Sequence, residues 1–142
     1  MNAKRSVSGL LILFGLFSVV SLQAAENEQE SVQVIAVDAA MDFVAQHDNA
    51  VIMDVRMPVE YDMSHITGAL NIDVRDDSFE QMASALDRDK TYIVHCTANP
   101  ADGRSSRALD TLRNLGFKNL YSLEGGYVAW KEAELPLTER SN

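Results

Sequence analysis

The sequence predicts an α/β fold in which a central parallel five-stranded sheet is covered by helices on both faces. From residue 32 onward, short apolar runs alternate with segments of helical periodicity. The runs do not alternate between polar and apolar residues as half-exposed strands do, so both faces of each strand are expected to be buried. This combination is typical of a three-layer domain with helices on both sides of a parallel sheet.

Each element has its own signal along the chain. The predicted strands are residues 32–35, 51–55, 69–72, 92–94 and 120–123. The predicted helices are residues 38–46, 58–62, 78–86, 105–115 and 127–133. Pro58 can open the second helix, apolar residues recur at helical spacing in the third, and Gly116 is placed to end the fourth.

The first 25 residues have the order of a secretory signal peptide. Lys4 and Arg5 precede an apolar run over residues 10–20, and Ala24 and Ala25 close the segment with small side chains. The run is shorter than the about 20 residues that a bilayer span needs, although an uncleaved N-terminal anchor is the alternative. We therefore expect a periplasmic or secreted protein that keeps no stable membrane anchor after cleavage.

The remaining chain is predicted to be one domain. Residues 26–31 form an acidic, flexible leader, residues 32–138 the domain, and residues 139–142 a short tail. The whole chain has a net charge of −9, and the segment 1–25 contributes two basic residues and no acidic one. The domain is therefore strongly acidic, and no nucleic-acid partner is expected because such a surface repels phosphates.

Cys96 is the single cysteine of the chain and follows a strongly apolar strand. A lone thiol cannot form an internal disulfide, so it is either buried and inert or reactive. In a parallel sheet, ligands bind beyond the carboxyl ends of the strands, where the N–H groups of the next helix stabilise an anion. The Asn, Pro, Asp and Gly residues that follow make a poor wall for an inert thiol, so we predict that Cys96 is catalytic.

The loop after this cysteine supplies the expected substrate-binding groups. Its backbone amides can converge on the sulfur and on the charged end of a substrate. The predicted substrate-binding residues are Thr97, Ala98, Gly103, Arg104 and Ser105. No metal site and no cofactor are expected, since the three histidines are scattered and only one thiol is present. The ring of His95 is expected to point away from the sulfur, because neighbouring residues of a strand face opposite sides.

Three segments, in this order, resemble the signatures of the rhodanese family. The first comprises residues 54–61 and 64–72, the second is His95-Cys96 leading to Gly103-Arg104-Ser105, and the third comprises residues 123–130 followed by Leu135-Pro136. The resemblance covers residues 32–137. It implies the parallel α/β fold and a cysteine that takes sulfane sulfur from a small-molecule donor such as thiosulfate. The cysteine then passes the sulfur to a thiophilic acceptor, a small molecule or a protein thiol.

Four polar residues of the first signature have a structural interpretation. Asp54, Arg56, Glu60 and His65 are predicted to form a polar network around the end of the sheet. Their spacing suits mutual hydrogen bonding more than catalysis.

The cysteine loop departs from the family pattern. Arg104 lies eight positions beyond Cys96 instead of about five, so residues 97–103 are longer by about three residues. The loop either bulges, or Asn99 caps a helix that starts at Pro100. Asp102 is expected to raise the thiol pKa and to weaken the use of thiosulfate, which a shorter loop would improve.

Three functions remain open from the sequence. The first is sulfur transfer through a persulfide on Cys96. The second is a phosphatase or arsenate reductase-like thiol enzyme on the same fold, in which the arginine would clamp the oxyanion. The third is a non-catalytic module that binds a partner or senses oxidants through Cys96.

Overall fold

The computed structural model describes residues 32–141; the predicted signal peptide and leader lie outside them. The strands are β1 Gln33–Ile35, β2 Ala50–Asp54, β3 Ser64–Ile66, β4 Leu70–Asn71, β5 Thr91–His95, β6 Leu120–Leu123 and β7 Leu137–Glu139. The helices are α1 Val37–Gln46, α2 Pro58–Met63, α3 Phe79–Ser84, α4 Arg104–Asn114 and α5 Gly126–Glu132. Within residues 32–141, each helix is too short or too polar to cross a bilayer.

Five parallel strands form the central sheet in the order β1-β6-β5-β2-β4. β5 lies in the middle and pairs with β2 along its whole length, from Thr91 opposite Ala50 to His95 opposite Asp54. The chain leaves β2 for the edge strand β4 and then returns to β5 on the other side of β2. The connection after β2 therefore leads to one side of the β2–β5 pair, and the connection after β5 leads to the other side. This divergence opens a crevice beyond the carboxyl ends of β2 and β5.

Helices bury both faces of the sheet, as the uniformly apolar strands predict. Along β5, Tyr92 and Val94 pack into the layer that contains α3 and α4, together with the following Cys96. Ile93 points to the opposite layer, where it packs with Trp130 of α5. Because side chains of a strand alternate between the two faces, this register fixes Cys96 on the side that α4 covers.

The predicted central sheet and its five helices are confirmed, and the structure adds a second, small sheet. β3 and β7 pair antiparallel, with His65 opposite Thr138. The Trp130 indole N–H donates to the Pro136 carbonyl at 3.1 Å and holds the approach to β7. Strands of three residues carry too few positions to show a period, so the sequence did not predict this pair.

A buried ion pair holds the end of β2. The Arg56 guanidinium donates to both carboxylate oxygens of Asp54, at 2.6–3.0 Å, and to the Ser64 carbonyl at 2.9 Å. Asp54 is 0% exposed and Arg56 3%. The guanidinium also lies 4.1 Å from the centre of the Tyr127 ring. The pair therefore connects the end of β2 to β3 and to α5.

We predict that Asp54→Asn lowers the free energy of unfolding by about 3–5 kcal/mol, because it leaves the Arg56 charge buried without its counter-ion. Asp110→Asn is the matched control, since Asp110 pairs with Arg113 at 3.2 Å on the surface and such pairs contribute roughly 0–1 kcal/mol. Urea unfolding of both variants measures the difference. Equal midpoints for the two variants would contradict the structural role of the buried pair.

Candidate active site

Cys96 follows the last residue of β5 and is 3% exposed. Its Sγ lies 3.5 Å from the hydroxyl of Ser105, which is buried in the first turn of α4. The register of β5 directs the thiol to this side of the sheet. The sulfur is consequently enclosed between the strand end, the loop that follows it and the start of α4.

The surroundings of the sulfur favour its ionised form. Burial raises the pKa of the Cys96 thiol, but hydrogen bonds from the Ser105 hydroxyl and from the backbone N–H groups of Ser105, Asn99 and Ala98 lower it further than burial raises it. The pKa of Cys96 thus lies below its ordinary value. More of the thiol is ionised near neutral pH than in free cysteine, and the thiolate is the nucleophile.

Asn99 fastens this loop to the sheet. Its Oδ1 accepts from the Cys96 N–H at 2.6 Å, and its Nδ2 donates to the Leu123 carbonyl at 2.7 Å. Weaker contacts of 3.2 Å join Nδ2 to the Val94 carbonyl and the Ser122 hydroxyl. The residue has a left-handed backbone with φ of 47°, which asparagine tolerates better than most residues. Its side chain therefore binds the ends of β5 and β6 while its own N–H faces the sulfur.

The start of α5 closes on the same loop. The Tyr127 N–H donates to the Cys96 carbonyl at 3.0 Å, and the Val128 N–H donates to the Thr97 carbonyl at 2.9 Å. At Gly126, with φ of +60°, a Cβ would lie 2.7 Å from the Cys96 carbonyl oxygen. This close approach requires glycine at position 126, the first residue of α5.

Arg104, the first residue of α4, binds Glu60 of α2 across the crevice. Its Nη1 donates to Glu60 Oε2 at 2.5 Å and its Nη2 to Oε1 at 3.0 Å. The Thr97 hydroxyl accepts from Nη2 at 2.8 Å and donates to Glu60 Oε1 at 3.2 Å. The hydrogen bond from Arg104 is the main cause that lowers the pKa of Glu60 to about 2, although burial raises it. Glu60 therefore carries a full negative charge at neutral pH.

The predicted substrate-binding residues are mostly brought together. Four of them lie at the sulfur or at the Arg104–Glu60 pair beside it: Thr97, Ala98, Arg104 and Ser105. Gly103 has a different role, because its N–H donates to the Pro100 carbonyl at 3.0 Å and closes a turn. A Cβ at Gly103 would lie 2.7 Å from Pro100 Cγ, so this turn is tight as well.

The four residues predicted as one polar network are divided by the structure. Asp54 and Arg56 form the buried pair at the end of β2. Glu60 points instead into the crevice. His65 lies apart in β3, with Nδ1 2.8 Å from the Tyr61 carbonyl and its ring stacked on Tyr61 at 3.7 Å. The four residues do not form one cluster, because each group of them has separate partners in the fold.

His95 lies on the Asp54 side of β5. Its Nδ1–H donates to the Cys96 carbonyl at 3.0 Å, and its Nε2 is 3.8 Å from Asp54 Oδ2. The residue is 0% exposed, and burial lowers the pKa of its imidazole. His95 is therefore neutral at neutral pH and supports the backbone of the cysteine.

The longer cysteine loop is a bulge and not an additional helical turn. α4 begins at Arg104, and Asn99 binds the Cys96 N–H where a helix cap at Pro100 was the alternative. Asp102 is exposed, and the thiol pKa is lowered, not raised as its charge led us to expect. A deletion that includes Asn99 would remove the attachment of the loop, so the basis for expecting a better enzyme from a shorter loop is lost.

Sequence reasoning missed the two most informative contacts of the site. The roles of Asn99 as the attachment of the loop and of Glu60 as the partner of Arg104 both depend on pairs of residues distant in the chain. The one available signal was Asn99 itself, an amide side chain in a loop of special backbone conformation.

The fold and the site define an α/β domain with a buried cysteine of lowered pKa in a loop that follows the central strand. Within this class, the chain belongs to the rhodanese-like domain family, whose sequence model matches residues 26–133.

Relatives of the chain include proteins with and without a named activity. An uncharacterised protein of Synechocystis is 35% identical over 97 residues, which cover 68% of this chain and 51% of that protein. The chain thus spans about half of that relative's length. The thiosulfate sulfurtransferase GlpE of Haemophilus influenzae is 36% identical over 89 residues, covering 62% of this chain and 79% of that protein. The crystal structure of a rhodanese-related protein from Thermoplasma volcanium superposes with a TM-score of 0.63 at 27% identity, covering 75% of this chain and 97% of that one.

We predict that Ser105→Ala raises the pKa of Cys96, because it removes the hydroxyl that donates to the thiolate. The pH-dependence of alkylation by iodoacetamide measures this pKa, and its midpoint should move to higher pH. At pH 7 the rate should fall a few-fold, since one hydrogen bond contributes roughly 1 kcal/mol. Ser106→Ala removes the same group from the next residue and should leave the profile in place. Matching profiles for the two variants would exclude the Ser105 contact as a cause.

Proposed function

We propose that this protein is a sulfurtransferase that carries sulfane sulfur as a persulfide on Cys96. The observation that carries the proposal is the thiol itself, whose pKa is lowered by hydrogen bonds at the carboxyl end of the central strand. Membership of the rhodanese-like domain family and relatives named as sulfurtransferases support it.

In the first step the Cys96 thiolate attacks the outer sulfur of a donor. With thiosulfate, the sulfur–sulfur bond breaks, sulfite leaves with its electron pair, and Cys96 becomes a persulfide. The N–H groups of Ala98, Asn99 and Ser105 face the place where the negative charge starts. The same N–H groups can stabilise the negative charge on the outer sulfur of the persulfide, because they are already held in place and need not rearrange.

In the second step a thiophilic acceptor, a small molecule or a protein thiol, attacks the outer sulfur of the persulfide. The bond between the two sulfurs breaks and Cys96 leaves as a thiolate. A lowered thiol pKa favours this departure because a weaker base is a better leaving group, whereas in the first step it acts by increasing the fraction of the thiol that is ionised. The N–H groups around the Cys96 sulfur thus assist both half-reactions.

Phosphoryl transfer is less well supported on this site. That chemistry uses the arginine fork to hold the oxygens of the transferred group. Both terminal nitrogens of Arg104 are bonded to Glu60. We therefore favour sulfur transfer over the phosphatase or arsenate reductase alternative.

We predict that Cys96→Ser and Cys96→Ala both abolish sulfur transfer to cyanide and keep the fold. A hydroxyl is not ionised at neutral pH, and a methyl group cannot form the bond at all. Intact mass after exposure to a sulfane-sulfur donor should show one additional sulfur atom on the wild-type protein and none on either variant. Circular dichroism checks folding. Transfer by a folded Cys96→Ala protein would move the chemistry to another residue.

We further propose that the protein is exported to the periplasm or beyond. The basic, apolar and small-residue order of residues 1–25 supports this. In the native host, the mature N-terminus should lie near Ala25 or Glu26, which N-terminal sequencing of the extracytoplasmic fraction measures. An intact Met1 on protein in the cytoplasmic fraction would contradict export.

A further inference from the structure

We propose that Glu60 determines the class of sulfur donor: by holding Arg104, it makes the site favour the persulfides of organic thiols over compact oxyanions such as thiosulfate. This inference rests on the sulfur transfer proposed above and specifies its substrate. It goes beyond the family's general chemistry because it depends on one carboxylate and its contacts in this chain.

The geometry leaves little of the guanidinium for a substrate. Glu60 engages Nη1 and Nη2 at the same time, and Thr97 takes a further hydrogen of Nη2. The Glu60 carboxylate has a further hydrogen bond on its own helix, since the Met57 N–H donates to its Oε2 at 3.2 Å. Glu60 therefore cannot turn away from Arg104 without losing a contact at the start of α2.

The charges point in the same direction. Glu60 is ionised and cancels the positive charge of Arg104, the cation nearest to the loop amides in sequence. The loop N–H groups of Ala98, Asn99 and Ser105 are directed at the Cys96 sulfur. A dianion that enters the crevice therefore finds Arg104 already neutralised by Glu60 and approaches a negatively charged thiolate. The net charge of −9 on the chain adds to this repulsion.

The two donor classes make different demands on this site. Thiosulfate brings a sulfonate that leaves as sulfite, and three charged oxygens must be held during the transfer. An organic persulfide, R–S–SH, is attacked by the Cys96 thiolate at its outer sulfur; the product is the Cys96 persulfide, which keeps the hydrogen, and the leaving group is the thiolate R–S⁻. That thiolate takes a proton from water. The organic donor needs no group that binds three oxygens.

A pair of alkylating reagents tests the charge of the pocket independently of sulfur transfer. Iodoacetate and iodoacetamide have nearly the same size and differ by one negative charge. We expect Glu60→Gln to raise the ratio of their rates at Cys96, normalised to 2-mercaptoethanol, by about tenfold, because it frees the Arg104 charge. Glu80→Gln removes one exposed charge elsewhere and should leave the ratio nearly unchanged. Arg104→Gln should lower the ratio of the iodoacetate rate to the iodoacetamide rate, because it leaves the Glu60 charge without its partner. This variant tests the charge of the pocket even if Glu60→Gln does not fold.

Loading of Cys96 with sulfur then tests the donor class. The probes are thiosulfate and the persulfide of 2-mercaptoethanol, and intact mass follows the added sulfur atom. For the wild-type protein, the persulfide should have a kcat/KM at least about tenfold above that of thiosulfate, and Glu60→Gln should narrow this gap about tenfold. An equal or better use of thiosulfate by the wild-type protein overturns the donor assignment.

The two measurements separate the possible failures. If neither donor loads any variant, sulfur transfer is wrong and the donor assignment falls with it. If both donors load but the alkylation ratio is the same in wild type and Glu60→Gln, then sulfur transfer stands and the role of Glu60 is overturned.

Discussion

The site depends on the hydrogen bonds by which one side chain, that of Asn99, ties the cysteine loop to two strands of the sheet. The amide accepts from the Cys96 N–H and donates across to the Leu123 carbonyl at the end of β6. Without this link, a loop that includes Pro100 and Gly103 would have many conformations of similar energy. Converging N–H groups lower a thiol pKa only when they are held in one arrangement, so the chemistry of Cys96 follows from the fixed position of its loop.

The order of the strands supplies the second half of the site. Because the chain diverges after β2, the helix that follows β2 and the helix that follows β5 begin on the two sides of one crevice. Glu60 and Arg104, 44 positions apart, meet there. The same divergence places the buried Asp54–Arg56 pair beneath the crevice, where it connects β2 to the small antiparallel sheet. The buried ion pair and the carboxylate that binds Arg104 therefore lie within one short segment, residues 54–60.

Local patterns predicted the fold well, whereas contacts across the chain were predicted poorly. Apolar strands and the helical spacing of residues such as Phe79 and Ala83 are patterns among neighbours in sequence. They are visible because helices bury both faces of the sheet. Cys96 was found because a lone thiol after a buried strand is visible in the sequence. Glu60 was assigned to a structural network because its partner could not be identified without the strand order. The sequence indicated two opposing effects on the thiol pKa, backbone amides that lower it and the charge of Asp102 that raises it. Only the folded loop shows which effect is larger, since hydrogen bonds lower the pKa.

The burial of Cys96 limits which thiols can reach it. In a disulfide between two chains the Cα atoms must come within about 4.4–6.8 Å of each other. A cysteine that is 3% exposed and lies between a strand end, its loop and α4 does not allow a second backbone to come so close. The burial of Cys96 therefore disfavours a disulfide between two copies of this protein. For the sulfur transfer proposed above, the same burial favours an acceptor that is a slender small thiol or a thiol on a projecting end of a protein.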